Sequence, residues 1–164
     1  MGRTNNVKAL IVYYSYGGNT RRIAELLQKQ TGADMAEIQT QTPYTGSYNA
    51  VVDQGQDEVR RGYMPPIRPL AVNPADYDTI LLGTPVWWYT FAPAVKTFLH
   101  DYPLTGKTID PFATNGGWIG HTFRDIRTAC PGAAVKSGLN IRFDEHTLRT
   151  PERDIREWAA KPEE

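Results

Sequence analysis

Three short stretches of the chain hold the residue types and spacings that chemistry needs. The first is Ser15-Tyr16-Gly17-Gly18-Asn19-Thr20, in which two hydroxyls flank a glycine pair just ahead of a helical pattern. Glycines let a backbone come close to a ligand, and hydroxyls beside the unpaired amides of a helix N-terminus make a cradle for an anion. Phosphate is the natural guest. The stretch has no lysine, so it is not a Walker loop, and its glycines do not follow the G-x-G-x-x-G dinucleotide spacing. That favours a monophosphate held by neutral donors over a magnesium-bound triphosphate. Taken by itself, the stretch equally describes a Gly-Gly turn with Thr20 capping a helix.

The second stretch, Gly83-Thr84-Pro85-Val86-Trp87-Trp88-Tyr89-Thr90-Phe91, is aromatic at positions 87, 88, 89 and 91. As a loop at a sheet edge it has too many rings for the core and too many to leave bare in water, so it calls for a flat apolar ligand or a partner. The third, Thr114-Asn115-Gly116-Gly117-Trp118, is small and permissive and adds one more indole. Brought together, the three describe a pocket for a planar ring carrying a ribityl- or ribose-phosphate.

Other candidates have plainer readings. His100, His121 and His146 lie in separate segments without metal-ligand spacing, and His121 is the one near the third stretch. Cys130 falls on the apolar stripe of a helix, as a small buried hydrophobe would. No Arg follows it to close a phosphatase loop, and the strand ending in Gly83-Thr84 lacks the acceptor Asp of a receiver domain. Arg21 and Arg22 fit a solvated helix face.

The elements that must position these stretches alternate. Val7 to Tyr13 is a short, nearly continuous apolar run, as expected of a strand buried on both faces. A helix follows, with Ile23, Leu26 and Leu27 on one face and Gly32 as its stop. Asp34 to Ile38 is a weaker strand, and Ser47 to Arg61 is a helix among prolines, with Tyr48, Val51, Val52 and Val59 as a partial apolar face. Thr79 to Gly83 is a central strand, and Pro93 to His100 is a helix with Pro in its first turn. Lys107 to Thr114 is a strand near an edge or irregular at Pro111. Ile119, Phe123, Ile126 and Cys130 form a helical stripe that Pro131-Gly132 ends. Leu139 to Phe143 is the last strand, and Pro151 to Lys161, capped by Thr150, is the last helix. Strict alternation with apolar strands implies a parallel sheet covered by helices on both faces. Ligands of such sheets sit beyond the carboxyl ends of the strands, which is where the three stretches fall.

With 164 residues the chain suits one domain, 1-164, and 18 Lys+Arg against 18 Asp+Glu gives a net charge of zero. That removes the electrostatic footprint of a nucleic-acid binder. No long apolar run suggests a membrane span, and the start lacks the apolar stretch of a signal peptide. With the single Cys130, these features lead us to expect a cytoplasmic location and no zinc site built on cysteines.

Ser15-x-x-x-Asn19-Thr20, Thr84-Pro85-Val86-Trp87-Trp88 and Thr114-Asn115-Gly116-Gly117 resemble the flavin mononucleotide (FMN) loops of the flavodoxin-like superfamily. Pro43-Tyr44 to Tyr48 also resembles its small bacterial flavodoxin-type branch, and the likeness runs along nearly the whole chain. It implies an α/β fold, a three-layer α/β/α sandwich on a five-stranded parallel sheet of order 2-1-3-4-5, with FMN at the switch point. On that resemblance Ser15, Tyr16, Gly17, Gly18, Asn19 and Thr20 hold the phosphate. Thr84, Pro85, Val86, Trp87 and Trp88 lie along one side of the isoalloxazine, and Thr114, Asn115, Gly116, Gly117 and Trp118 wrap its pyrimidine end. The implied activity is electron transfer by a non-covalent flavin, with no side chain acting as nucleophile or base. The flavin would serve a redox partner protein or a small acceptor, and the protein would be a monomer or weak dimer. An FMN-dependent NAD(P)H or quinone oxidoreductase of the same fold stays open, as does a non-redox module whose aromatic rim binds a partner. Many electron-transferring flavodoxins carry a Gly-Asp pair with a stacking Tyr in the third loop and an acidic surface, and this chain has neither.

Overall fold

The computed structural model describes residues 8–160. Strand β1 (Ala9–Tyr13) is buried from Leu10 onward because it has neighbours on both sides, pairing in parallel with β2 (Asp34–Glu37) and with β3 (Thr79–Trp87). On the other side of β3 lie β5 (Thr108–Asn115) and then β7 (Leu139–Asp144), also parallel. The order β2-β1-β3-β5-β7 is therefore the order 2-1-3-4-5 of the five principal strands. The sheet is wider than those five, with eight strands among the described residues. β4 (Thr90–Phe91) folds back antiparallel on β3, β6 (Ala134–Val135) runs parallel along the start of β5, and β8 (Thr147–Leu148) returns antiparallel on β7. Each adds only two residues of pairing. Such short extensions have no hydrophobic period of their own.

Successive side chains of a strand face opposite ways, so each central strand feeds two cores. Leu10, Val12, Ile80, Leu82 and Ile109 face one side, where Val95 and Phe98 of α3 (Pro93–Asp101) and Ile126 of α4 (Thr122–Ala129) cover them. Ile11, Tyr13, Leu81, Phe112 and Ile141 face the other, under Ile23 and Leu27 of α1 (Asn19–Thr31) and Ile155 of α5 (Glu152–Ala159). Helix α2 (Tyr48–Arg61) packs beside α3 on the first face, with Ser47 as its N-cap accepting from the Ala50 amide at 3.1 Å. Its buried face is Val51, Gly55 and Glu58, whereas Tyr48 is 79% exposed.

Three local expectations change. The third strand does not stop at Gly83 but runs to Trp87, and with β4 it leaves only Trp88 and Tyr89 of the second stretch outside strands. Pro111 sits in a central strand, not at an edge, and the sheet accommodates it through an irregularity. Ile109 points its carbonyl at the Lys136 amide, and by alternation the missing Pro111 donor faces the gap where β6 ends at Val135 and β7 begins at Leu139. Finally, Thr150 does not cap α5. Pro151 holds the cap position without a side-chain bond, and the Thr150 hydroxyl accepts from the Arg142 amide at 2.8 Å. Val7 and Lys161, expected in the first strand and last helix, lie outside the described residues. Among the described residues no helix is long and apolar enough to cross a membrane.

Candidate functional site

The three stretches do meet at the carboxyl ends of β1, β3 and β5, which are adjacent in the sheet. Gly17 and Gly18 have φ of 86° and 100°, the left-handed region where only glycine is unstrained, and Gly18 is the N-cap of α1. A Cβ built on either would meet nothing within 4 Å. The loop thus opens onto free space at a helix start, where the first backbone N–H groups lack intrahelical partners. Among the described residues, the amides of residues 16–20 make no hydrogen bond.

Most of the polar side chains expected to face a ligand instead fasten the loops to one another. Thr20 and Thr114 share a buried 2.8 Å hydrogen bond between their hydroxyls, which joins the first loop to the third. Ser15 Oγ accepts from the Arg21 amide at 3.1 Å. Asn19 donates from Nδ2 to the Glu145 carbonyl and accepts at Oδ1 from His146, so the β7–β8 turn is pinned to the start of α1. Thr84 is fully buried, accepts from the Ala92 amide at 3.0 Å and donates to the Pro85 carbonyl, tying β3 to its own return strand. Asn115 accepts from the Gly117 amide at 2.9 Å, which shapes the third loop from within.

The aromatic residues divide. Trp87 is partly buried in an edge-to-face cluster with Tyr14, Tyr16 and Tyr44, its nearest ring centroid being that of Tyr44 at 5.1 Å. Its other neighbour is Gly55, where a Cβ would lie 3.2 Å from Trp87 Cε3. What stays exposed of Trp87 lines a cavity of about 300 Å³ together with Tyr16, Val86 and Trp88. Burial holds the Tyr14 hydroxyl well above its usual range, and burial with the hydrogen bond to Glu58 does the same for Tyr44, so both stay protonated. Trp88 and Tyr89 form the two-residue turn between β3 and β4, both at positive φ, 51° and 72°. Both are exposed, as are Tyr16 and Trp118, and Tyr89 tilts against Trp118 with centroids 4.7 Å apart. Trp88 Nε1 donates to the Val52 carbonyl. Val86 and Pro85 sit half-buried on β3 between these rings. Gly116 and Gly117 keep the third loop slim, and the Arg142 side chain stands beside it, Nε 3.9 Å from where a Gly117 Cβ would be.

Two contributors escape a reading of the sequence, the Glu145–His146 turn and Gly120, and Tyr44 is there without its packing on Trp87 being visible. Gly120 lies so close under Tyr89 that a Cβ there would collide with the Tyr89 carbonyl oxygen. A signal exists for the Tyr44–Trp87 cluster, since a glycine within a helical pattern often marks close approach, and Gly55 is where Trp87 packs. Nothing local announces the β7–β8 turn. The described residues include no group of three or more His, Cys, Asp or Glu able to hold a metal.

A family model described as flavodoxin matches residues 8–161. Curated proteins offer no match. Among solved structures, a candidate flavoprotein from Bacteroides eggerthii is 32% identical, with 93% of this chain and 96% of that one aligned at a TM-score of 0.80. A flavoprotein from Lactobacillus acidophilus, solved in complex with FMN, is 25% identical over 82% of this chain and 92% of that one, TM-score 0.70. The flavodoxin of Megasphaera elsdenii, at 23% identity over 93% and 98% of the two chains and TM-score 0.58, shares the fold. A match across nearly the whole described chain, on a sheet of this order with loops gathered at its switch point, means that this chain belongs to the flavodoxin family.

Proposed function

We propose that the site binds FMN non-covalently and that the protein transfers electrons through it. The observation that carries the reading is the first loop: consecutive left-handed glycines, open space above them and uncommitted amides at a helix start, facing two aromatic-lined loops. Those donors fit a phosphate monoester. The FMN complex of the Lactobacillus acidophilus relative supports the same guest. The backbone amides of residues 16–20 would hold the phosphate, and whichever of the paired Thr20 and Thr114 hydroxyls accepts from the other keeps its own proton to donate. Trp88, Tyr89 and Trp118 would shield the ring system from water, and the Gly116–Gly117 backbone would meet its pyrimidine edge.

Bound FMN supplies one- or two-electron chemistry, which the protein tunes. No Lys or Arg lies in the three loops, so nothing in them neutralises negative charge gained on reduction. Arg21, just past the phosphate loop, is held by Glu37, whose hydrogen bond raises its pKa further, so its charge is spent on that carboxylate.

The decisive experiment is titration of purified protein with FMN, followed by quenching of flavin fluorescence, with Gly18→Ala in parallel. A Cβ at φ 100° costs about 1–2 kcal/mol and projects into the free space of the loop. FMN affinity should fall at least about tenfold while riboflavin, which lacks the phosphate, is little affected. Absence of FMN binding by the wild type would sink the reading. A second reading, an FMN-dependent oxidoreductase acting on a small acceptor, is favoured by the zero net charge and by the exposed rings at Trp88, Tyr89 and Trp118. Rapid NADPH oxidation in the presence of a quinone would decide for it, and negligible turnover for the carrier.

A further inference from the structure

Behind the aromatic turn the molecule has a cavity of about 470 Å³ between α2, β4, α3 and α4. Its walls are apolar, with Val59, Phe91, Pro93 and Ala129 contributing, and its size is that of a small-molecule site. One rim carries an organised polar group. Asp125 Oδ2 accepts from the Thr90 hydroxyl at 2.6 Å and pairs with His121 Nδ1. Since a carboxylate can only accept, Nδ1 carries the proton, and in the neutral imidazole Nε2 then keeps its lone pair. The His121 amide donates to the Tyr89 carbonyl, which fixes the residue beside the aromatic turn. No hydrogen bond of Nε2 is formed among the described residues.

The other charged groups at the cavity do not compete for this nitrogen. Both Glu58 carboxylate oxygens are taken, one by the Tyr44 hydroxyl and one by Gln54. The Lys96 ammonium donates to the Gly62 carbonyl from α3. Arg124, next to Asp125 on α4, approaches only the other carboxylate oxygen, Oδ1, at 3.8 Å. An apolar chamber whose rim offers the neutral His121 Nε2 and the Asp125 carboxylate as hydrogen-bond acceptors is complementary to a flat apolar ring that bears one hydroxyl.

We infer that this cavity binds a small hydroxylated aromatic, whose ring lies among Val59, Phe91, Pro93 and Ala129 and whose O–H donates to His121 Nε2. The site depends on the fold alone and not on the cofactor reading. Its test uses 1-naphthol and its methyl ether, which keeps the ring system and lacks the donor, each titrated into the isotopically labelled protein and followed by amide NMR shifts. Saturable shifts at Val59, Phe91 and Ala129 are expected with both probes, with 1-naphthol binding about fivefold tighter, the worth of one ordinary hydrogen bond. In His121→Phe that preference should vanish while the ether binds as before, and His121→Gln, which restores an acceptor, should recover part of it. His121 is 44% exposed and its side chain makes no cap bond to α4, so both variants should fold. No saturable shift at the lining residues, equal affinity for the two probes, or a preference that survives His121→Phe would each overturn the inference.

Discussion

Thr20 shows how a residue can serve a site by joining two of its loops. The residue is 1% exposed and its hydroxyl is paired with Thr114, so replacing either by Val leaves the other buried and unsatisfied. Each single variant should lose about 1–3 kcal/mol in urea denaturation, and the double variant should lose less than the sum, because removing both partners leaves neither orphaned. Additive losses would mean that the hydroxyls do not pair. Cys130 makes a different residue-scale prediction. Burial raises its thiol pKa from 9.0 to about 11. A folded-state pKa above the unfolded one favours the protonated form, so this contribution is whole below about pH 9 and is lost as pH climbs towards about 11. Its full size is on the order of 2 kcal/mol. Tyrosine titration is common to the wild type and Cys130→Ala, so between those pH values the wild type should lose stability more steeply. Parallel curves would contradict the shift.

At the scale of elements, the β3–β4 turn carries the sharpest tension. A two-residue turn with both φ values positive is usually built from Asn-Gly, yet here it is Trp88-Tyr89. Bulky residues held there store strain of about 1–3 kcal/mol, which surrounding contacts must offset. The Trp88 bond to Val52, the Tyr89–Trp118 contact and the close fit of Gly120 provide them. Strain retained at the rim of a site points to a role for the rings themselves. The double variant Trp88→Asn, Tyr89→Gly should stay within about 1 kcal/mol of the wild type in stability, because lost contacts and relieved strain oppose one another. Its FMN affinity should nevertheless fall more than about tenfold in the same fluorescence titration.

At the scale of the whole molecule, the candidate site belongs to no single segment. Its loops leave three strands that touch only in the folded sheet, so a ligand held there binds the native state and not the unfolded chain. FMN at a hundredfold excess over its Kd should add about 2.7 kcal/mol to unfolding free energy, and riboflavin at the same concentration distinctly less. Chemical denaturation with and without each ligand checks this, and identical curves for the two would argue that the phosphate contributes nothing. The balanced charge also matters at this scale, since it offers no net field to steer a charged partner.

The sequence by itself determined the layers. The apolar runs of β1, β3 and β7 and the stripes of α1, α3 and α4 follow from side-chain periods that burial imposes locally, and the glycine pair at 17 and 18 marks a turn that other residues make only under strain. Strand order was legible only through the family resemblance, because pairing between segments leaves little trace in either one. The tertiary structure alone decided which polar groups remain for a ligand. Thr20 and Asn19 look like donors in sequence, but their partners, Thr114 and the Glu145–His146 turn, lie 94 and more than 120 residues away. Likewise Trp87 and Trp88 are neighbours of one type. A strand's alternation and the approach of Gly55 bury the first among tyrosines, while the turn carries the second to the surface. Residue type sets what chemistry a side chain can do; long-range contacts set whether it is free to do it.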